Sequence, residues 1–348
     1  RDDLRKTVRA FAEREVLPYV TEWEHTGELP RELHRKAAAA GLLGAGFPES
    51  VGGEGGDGAD AVVICEEMHQ AGAPGGVFAS LFTCGIAVPH MIASGDEHLI
   101  DTYVRPTLRG EKIGSLAITE PGGGSDVGHL TTRAAKEGDE YILNGAKAYI
   151  TSGVRADYVV TAVRTGGPLT SGVSLIVVEK GTPGFEVSRK LDKMGLKSQD
   201  TAELFFNDVK VPKANLIGEA GQGFKYLAQM LAQERLIAAI GFMATAQTAF
   251  DITLDYVKER RAFGKPIGAF QNTRFKMASM RAELDALQTY VDQCVMLLNA
   301  GELTAEDASA AKLLASAETE LALRGEVPLT SAEMTQLQLL EADGEEAM

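Results

Sequence analysis

Cysteine is scarce in this chain of 348 residues, which contains only Cys65, Cys84 and Cys294. An odd number of widely separated cysteines in apolar helical surroundings predicts buried reduced thiols rather than disulfides or a metal cluster. We therefore expect no metal-binding site.

Basic residues are also few, with 34 lysines and arginines against 49 aspartates and glutamates and a formal net charge of −15. This charge disfavours nucleic-acid binding and means that an anionic substrate needs a local basic patch. A long apolar run is missing as well, because no stretch approaches the roughly 18 residues that a membrane span requires. The first residues follow an amphipathic pattern rather than that of a signal peptide, so we expect a cytoplasmic protein without a membrane span.

The hydrophobic pattern divides the chain into three parts. Apolar residues recur at helical spacing from Asp2 to about Arg109, short β-like runs separated by turns fill Ile113 to Val211, and helical spacing returns from Gly223. The sequence therefore predicts an α+β protein. An N-terminal α-helical domain is expected over residues 1–112, a central antiparallel β-domain over 113–215 and a C-terminal helical bundle over 216–348.

Two short motifs in the β-domain suggest a cofactor site. The glycine-rich turn Thr119–Asp126 is followed by a β-like segment and then by Asn144–Thr151. The glycines expose backbone N–H groups, Ser125 and Thr151 add hydroxyls, and Tyr149 offers a flat aromatic face. This combination suits a flat ring system with polar edges, such as a flavin. The glycine spacing and the β-like continuation differ from a nicotinamide-binding fingerprint.

One helix after the β-domain carries an acid within an apolar face. At i, i+3 and i+4 spacing this face comprises Leu227, Met230, Leu231, Glu234, Ala238 and Gly241. Burial of a carboxylate raises its pKa toward the range of a general base. The alternative is a structural ion pair of Glu234 with Arg235 or with an arginine of another helix.

Several further segments, in order, identify a family. They are Lys193–Phe206, Val211-Pro212, Gln233–Leu236 and Arg261–Lys265. Together with the two motifs above, they resemble the acyl-CoA dehydrogenases over roughly residues 1–315. The resemblance implies FAD as cofactor and an acyl-CoA thioester as substrate, oxidised to trans-2-enoyl-CoA. It also implies electron-transfer flavoprotein as acceptor, a helical–β–helical fold and a homo-oligomer, a tetramer or a dimer. An acyl-CoA oxidase that uses oxygen instead is a variant of this interpretation.

The resemblance also assigns roles to individual residues. Gln233–Leu236 resembles long-chain and isovaleryl-type members, whose catalytic base lies on this helix, so Glu234 is the expected base. The expected flavin contacts are Leu116, Ile118, Thr119, Gly124, Ser125, Tyr149 and Thr151. Contacts to the FAD of a neighbouring subunit are expected from Arg260, Phe263 and Gln271. The expected substrate contacts are Ser125, Phe224, Leu227, Met230 and Arg235.

The sequence departs from the family pattern after about residue 315. Two C-terminal flavin motifs of the family, Gln-Leu-His-Gly-Gly and Tyr-Gly-Gly-Thr-x-Glu-Ile, do not occur, and the chain closes with the acidic stretch Glu341–Glu346. Two alternatives follow. The protein is a catalytically impaired paralogue that binds acyl-CoA or partners without turnover, or it is one subunit of a hetero-oligomer whose other chain completes the flavin site.

Overall fold

The N-terminal third of the chain is helical. The computed structural model describes residues 1–324, with side chains as far as Ser316. The helices of this part are α1 Asp2–Phe11, α2 Val20–Thr26, α3 Glu32–Ala39, α4 Gly58–Gln70, α5 Gly75–Leu81, α6 Cys84–Ala87, α7 Pro89–Ser94, α8 Glu97–Leu99 and α9 Arg105–Leu108. Two π-helical turns, Ala12–Val16 and Ile100–Val104, follow α1 and α8.

The helix α4 begins at a well-formed cap. The Asp57 carboxylate accepts a hydrogen bond from the Ala59 N–H, and the Asp60 carboxylate accepts one from the Asp57 N–H, each at 2.9 Å. This reciprocal arrangement satisfies backbone donors that a helix start otherwise leaves free. It makes Asp57 the cap and Gly58 the first residue of α4.

A sheet of seven strands forms the middle of the chain. The strands are β1 Gly114–Ala117, β2 Arg133–Glu137, β3 Glu140–Thr151, β4 Tyr158–Arg164, β5 Val173–Glu179, β6 Phe185–Val187 and β7 Thr201–Pro212. Their order is β1-β4-β2-β3-β7-β6, and β5 pairs with β4. The α+β class is confirmed.

The sheet is not antiparallel throughout. Strand β1 pairs with β4 in parallel, with Gly114 opposite Tyr158, and β2 meets β4 in parallel at one position, whereas the other pairs are antiparallel. A parallel pair needs a long crossover, and here the chain between β1 and β4 contains the whole β2–β3 hairpin. Periodicity within each strand carries no information on this connection.

Strand β4 separates two hydrophobic cores. Val160 and Ala162 belong to a core shared with helices of the N-terminal part, whereas Val159 and Val163 belong to a core within the sheet. Both faces are therefore buried, which explains why the strand is a continuous apolar run rather than an alternating one.

A helical bundle follows the sheet. Helix α10, Gly223–Glu259, leads through the short strands β8, Arg261–Ala262, and β9, Lys265–Pro266, to α11, Gln271–Ala300, and α12, Ala305–Arg324. Their shared core includes Cys65 of α4, Ile240, Cys294 and Ala311. The acidic stretch Glu341–Glu346 lies outside the described residues.

Helix α10 is the segment that bears most on the expectation of no membrane span. Helix α10 is long and apolar enough, by length and composition, to cross a membrane. Helix α5 and the helical segment Cys84–Ser94 together are also long and apolar enough, although the chain bends by 49° between them. Core helices of globular proteins can meet the same criteria. Because α10 contributes Leu236, Ile240 and Met243 to the bundle core, we interpret it as the central helix of that bundle.

Candidate functional site

A cavity of about 570 Å³ lies where the three parts of the chain meet. This volume falls within the range of roughly 300–1,000 Å³ that is usual for small-molecule sites. Helices α4, α5 and α10 form half of its wall, and Thr151, Leu196 and Gln199 contribute from the β-domain. The wall is largely apolar, with side chains such as Ile64, Phe78, Phe82, Ile237, Phe242 and Leu298.

Glu234 lies on this wall, at the middle of the apolar face predicted for α10. Burial raises the pKa of its carboxyl group, and the nearby charge of Arg235 opposes this shift only in part. Among the side chains that the structure describes, no ion pair or hydrogen bond joins Glu234 to a partner. The ion-pair alternative is therefore not formed there, and the carboxyl group is available to the cavity as a proton acceptor.

Thr151 and Gln199 meet at the β-domain side of the cavity. The Gln199 Nε2 donates a hydrogen bond of 2.9 Å to Thr151 Oγ1, and Ser115 Oγ donates one of 2.6 Å to the Thr151 carbonyl. The Lys193 ammonium donates to the carbonyls of Leu196 and Gln199 at 3.0 and 2.7 Å. These bonds fix the end of β3 against the Lys193–Gln199 loop. Gln199 was not among the predicted site residues, although it lies in a segment that carries the family resemblance.

A buried ion pair holds the two predicted flavin motifs together. Lys147 Nζ lies 2.9 Å from Glu120 Oε1 and also donates to the Ile118 carbonyl at 2.9 Å, and the Lys147 side chain is fully buried. The second Glu120 oxygen accepts from the Thr131 N–H and hydroxyl, while Oε1 also accepts from the Thr132 N–H. Burial alone would raise the pKa of Glu120, but these hydrogen bonds and the Lys147 charge lower it to about 2.

The surface beside this pair fits a planar cofactor. Tyr149 is 68% exposed and has a φ of 57°, a conformation that is rare for a bulky residue and typical of functional sites. Gly122 and Gly123 have open space where a side chain would stand, and Ser125 beside them is exposed. The Thr119 carbonyl accepts from the Ala148 N–H at 2.9 Å, which brings the two motifs side by side. An exposed ring, an open glycine turn and nearby hydroxyls are the features that a flavin requires.

The other predicted flavin residues occupy different places. Leu116 and Ile118 are half-buried and pack against the core shared with the N-terminal helices. Gly124 lies in the exposed turn, where a side chain would contact Thr119 at 3.2 Å. The structure thus places the residues of both motifs side by side.

Arg260, Phe263 and Gln271 are not part of this group. Arg260 ends α10, and Phe263 stands at the tip of the β8–β9 hairpin with 95% of its surface exposed. Along α10, Arg260 is 26 residues beyond Glu234, about 39 Å at 1.5 Å per residue. Within one chain these residues cannot contact a cofactor that lies beside Glu234.

Four of the predicted substrate contacts also lie away from the cavity wall. Leu227 is buried in the core beneath the sheet, and Phe224 packs against that core. Met230 and Arg235 are half-buried and do not line the cavity. Leu227 is two turns from Glu234 on the same face, but there α10 is covered by the sheet instead of by α4. Their role toward substrate stays a prediction.

Comparisons with known proteins identify the same family in all three parts of the chain. Residues 1–111, 115–209 and 221–325 match the models of the acyl-CoA dehydrogenase N-terminal, middle and C-terminal domains. A crystal structure of a putative acyl-CoA dehydrogenase from Mycobacterium smegmatis is 57% identical, with a TM-score of 0.91 and coverage of 99% of this chain and 93% of that one. The long-chain specific acyl-CoA dehydrogenase of Sus scrofa mitochondria is 41% identical over 90% of this chain and 74% of its own length.

A more distant structure bears on the cofactor. A glutaryl-CoA dehydrogenase from Mycobacterium smegmatis, solved in complex with FADH2, is 26% identical with a TM-score of 0.88, and the match covers 98% of this chain and 89% of that one. The cofactor of that protein is of the type that the two β-domain motifs fit.

Proposed function

Since this chain belongs to the acyl-CoA dehydrogenase family, whose members bind FAD and dehydrogenate acyl-CoA thioesters, we propose that it oxidises long- or branched-chain acyl-CoA to trans-2-enoyl-CoA with Glu234 as the base. One observation carries this proposal. Glu234 presents a partly buried carboxyl group, unpaired among the described side chains and of raised pKa, to an apolar cavity that ends beside the flavin motifs.

In this mechanism the α-carbon of the acyl group lies against Glu234. A carboxylate oxygen takes the α-proton, the β-carbon loses a hydride, and a trans double bond forms between the two carbons. FAD, when bound, supplies the acceptor for that hydride. The apolar wall excludes water, which keeps the carboxylate poorly solvated and therefore more basic than in solution. Leu116, Ile118, Thr119, Gly124, Ser125, Tyr149 and Thr151 would hold the cofactor.

The proposed substrate length is supported by the position of the base. In the sequence, Gln233–Leu236 resembles the segment that carries the base in long-chain and isovaleryl-type members. The cavity continues along α10 from Glu234 as far as Thr245, which leaves room for an extended or branched acyl group. The long-chain name of the porcine relative agrees with this proposal.

We further propose a homo-oligomer in which Arg260, Phe263 and Gln271 bind the FAD of a neighbouring subunit, with electron-transfer flavoprotein as the acceptor. The exposed Phe263 ring and the distance from Arg260 to Glu234 support the first part. A guanidinium suits the task because it stays charged and binds phosphate oxygens with a planar fork.

Replacement of Arg260 tests this arrangement. Arg260→Ala is expected to weaken FAD binding roughly tenfold, the usual cost of losing a hydrogen bond to a charged group, without changing the unfolding of the polypeptide. Flavin absorbance per subunit after gel filtration measures the effect. Lys258→Ala, which removes the same charge two residues earlier on the exposed helix end, is the control. Full FAD occupancy in Arg260→Ala would remove this residue from the cofactor site.

The proposed reaction itself is tested by absorption spectroscopy of the purified protein. A flavin band that bleaches on anaerobic addition of a long-chain acyl-CoA is the expected result, and reoxidation by electron-transfer flavoprotein but not by oxygen separates a dehydrogenase from an oxidase. A protein that binds FAD but never bleaches contradicts the proposal and favours the impaired paralogue. A colourless protein that takes up FAD only with a second chain favours the hetero-oligomer.

A further inference from the structure

The cavity contains a buried histidine that the proposed chemistry does not use. His69, on the last turn of α4, lines the wall and is only 5% exposed. Its Nδ1 lies 2.8 Å from the carbonyl oxygen of Cys65, one turn earlier. A carbonyl oxygen can only accept a hydrogen bond, so Nδ1 carries the proton of the neutral ring.

The other ring nitrogen of His69 is therefore an acceptor without a proton. Burial lowers the pKa of His69, although the bond to Cys65 opposes the shift, so the ring is neutral at physiological pH. In the described part of the chain no donor is bonded to Nε2, and this atom is not sealed within the protein. Phe78 packs beside the ring, with centroids 5.3 Å apart, and offers no hydrogen bond.

The contacts of α4 show where along the cavity this acceptor lies. Cys65 stands opposite Gly241, where an added Cβ would lie 3.9 Å from the sulfur. Gly241 is seven residues beyond Glu234, about 10 Å along α10. The start of α4 lies against Leu298, whereas Gly75, after its end, lies against Leu196 on the β-domain side. His69 is thus on the β-domain side of Cys65, beside the first part of a bound acyl chain.

We infer that the preferred substrate is an acyl-CoA with a hydroxyl group a few carbons beyond the β-carbon, an inference that rests on the proposed function. This hydroxyl group donates a hydrogen bond to Nε2 of His69. An unsubstituted chain would cover this acceptor with methylene groups and leave it unpaired. A site built around a polar group discriminates against the analogue that lacks the matching group. A keto group or a carboxylate has no hydrogen to donate and is not selected.

Calorimetry with matched ligands tests this inference. The protein carries FAD and the Glu234→Gln substitution, so that turnover does not contribute heat. The ligands are a twelve-carbon acyl-CoA and isomers of it with the hydroxyl moved one carbon at a time from carbon four. We expect one isomer to bind roughly fivefold more tightly than the unsubstituted chain, the effect of one buried neutral hydrogen bond.

Variants then assign the preference to His69. His69→Phe keeps a flat ring but removes the acceptor, so it should abolish the difference in affinity between the preferred hydroxylated isomer and the unsubstituted chain. His69→Gln should retain part of that difference. Cys65→Ala, in the same wall, should preserve the ratio of the two affinities, because the Cys65 backbone carbonyl that holds the His69 ring remains. Equal binding of all ligands, or a preference that survives His69→Phe, overturns the inference. If no acyl-CoA binds at all, the proposed function itself is wrong.

Discussion

Replacement of Glu234 by glutamine is expected to abolish the bleaching of bound flavin by acyl-CoA while leaving the FAD content unchanged. Glutamine has the size of glutamate but cannot accept a proton, and a general base contributes roughly 100- to 10,000-fold to such a step. Stopped-flow absorbance under anaerobic conditions measures the rate of bleaching. Glu137→Gln, the same change at an exposed position of the sheet, is the control. Unaltered bleaching in Glu234→Gln would exclude this residue as the base.

The pH dependence gives a second measurement of the same residue. The reaction needs the carboxylate, and burial raises the pKa of Glu234, so the rate of bleaching should rise with pH through that raised value. The stability should change in the opposite sense. In the unfolded chain the group ionises near its ordinary value of about 4.3, so wild-type protein loses stability relative to Glu234→Gln as the pH rises from there through the raised pKa. The variant is therefore expected to be no less stable than wild type at neutral pH.

The helices could be predicted from the sequence because they leave a periodic pattern, and a strand buried on both faces could be predicted because it leaves a short apolar run. The expected helix from Gly223 is α10, and the apolar run at Tyr158 is β4. Glu234 could be recognised for the same reason, since an acid within an apolar face is visible without coordinates. The structure then places it on a cavity wall.

The sequence could not predict which part of the structure packs against each helix face or strand. The pattern of α10 places Leu227 and Glu234 on one face, yet the sheet covers Leu227 and the cavity opens at Glu234. His69 has no sequence signal, because its role depends on the Cys65 carbonyl within its own helix and on the cavity beyond it. The parallel pairing of β1 with β4 depends on the connection between them, which periodicity does not describe.

A second large effect is expected from the buried pair of Glu120 and Lys147. Glu120→Ala leaves the Lys147 ammonium fully buried, with the Ile118 carbonyl as its remaining hydrogen-bond partner among those described. Removal of one partner of a buried ion pair costs about 3–5 kcal/mol. Urea unfolding should show this loss in the free energy of unfolding. Glu137→Ala and Lys136→Met, at exposed positions of the adjoining strand, are the controls.

The double variant Glu120→Gln with Lys147→Met separates the cost of an unpaired charge from the value of the pair itself. Without a buried charge, it should recover much of the stability that Glu120→Ala loses. A double variant as unstable as Glu120→Ala would show that the hydrogen bonds to Thr131 and Thr132, rather than the charges, stabilise this edge of the sheet.

Acid provides the last test of the same pair. The folded protein holds the pKa of Glu120 at about 2, below the ordinary value of about 4.3. Its contribution to stability is therefore fully present above the ordinary value and is lost as the pH falls toward 2. The difference in the free energy of unfolding between wild type and Glu120→Ala should shrink over that interval.

The pair joins Glu120 of the first flavin motif, and Ile118 just before it, to Lys147 of the second motif. We therefore expect FAD retention to fall in Glu120→Ala even where the protein stays folded. Retention equal to wild type would show that the two motifs bind FAD without this link.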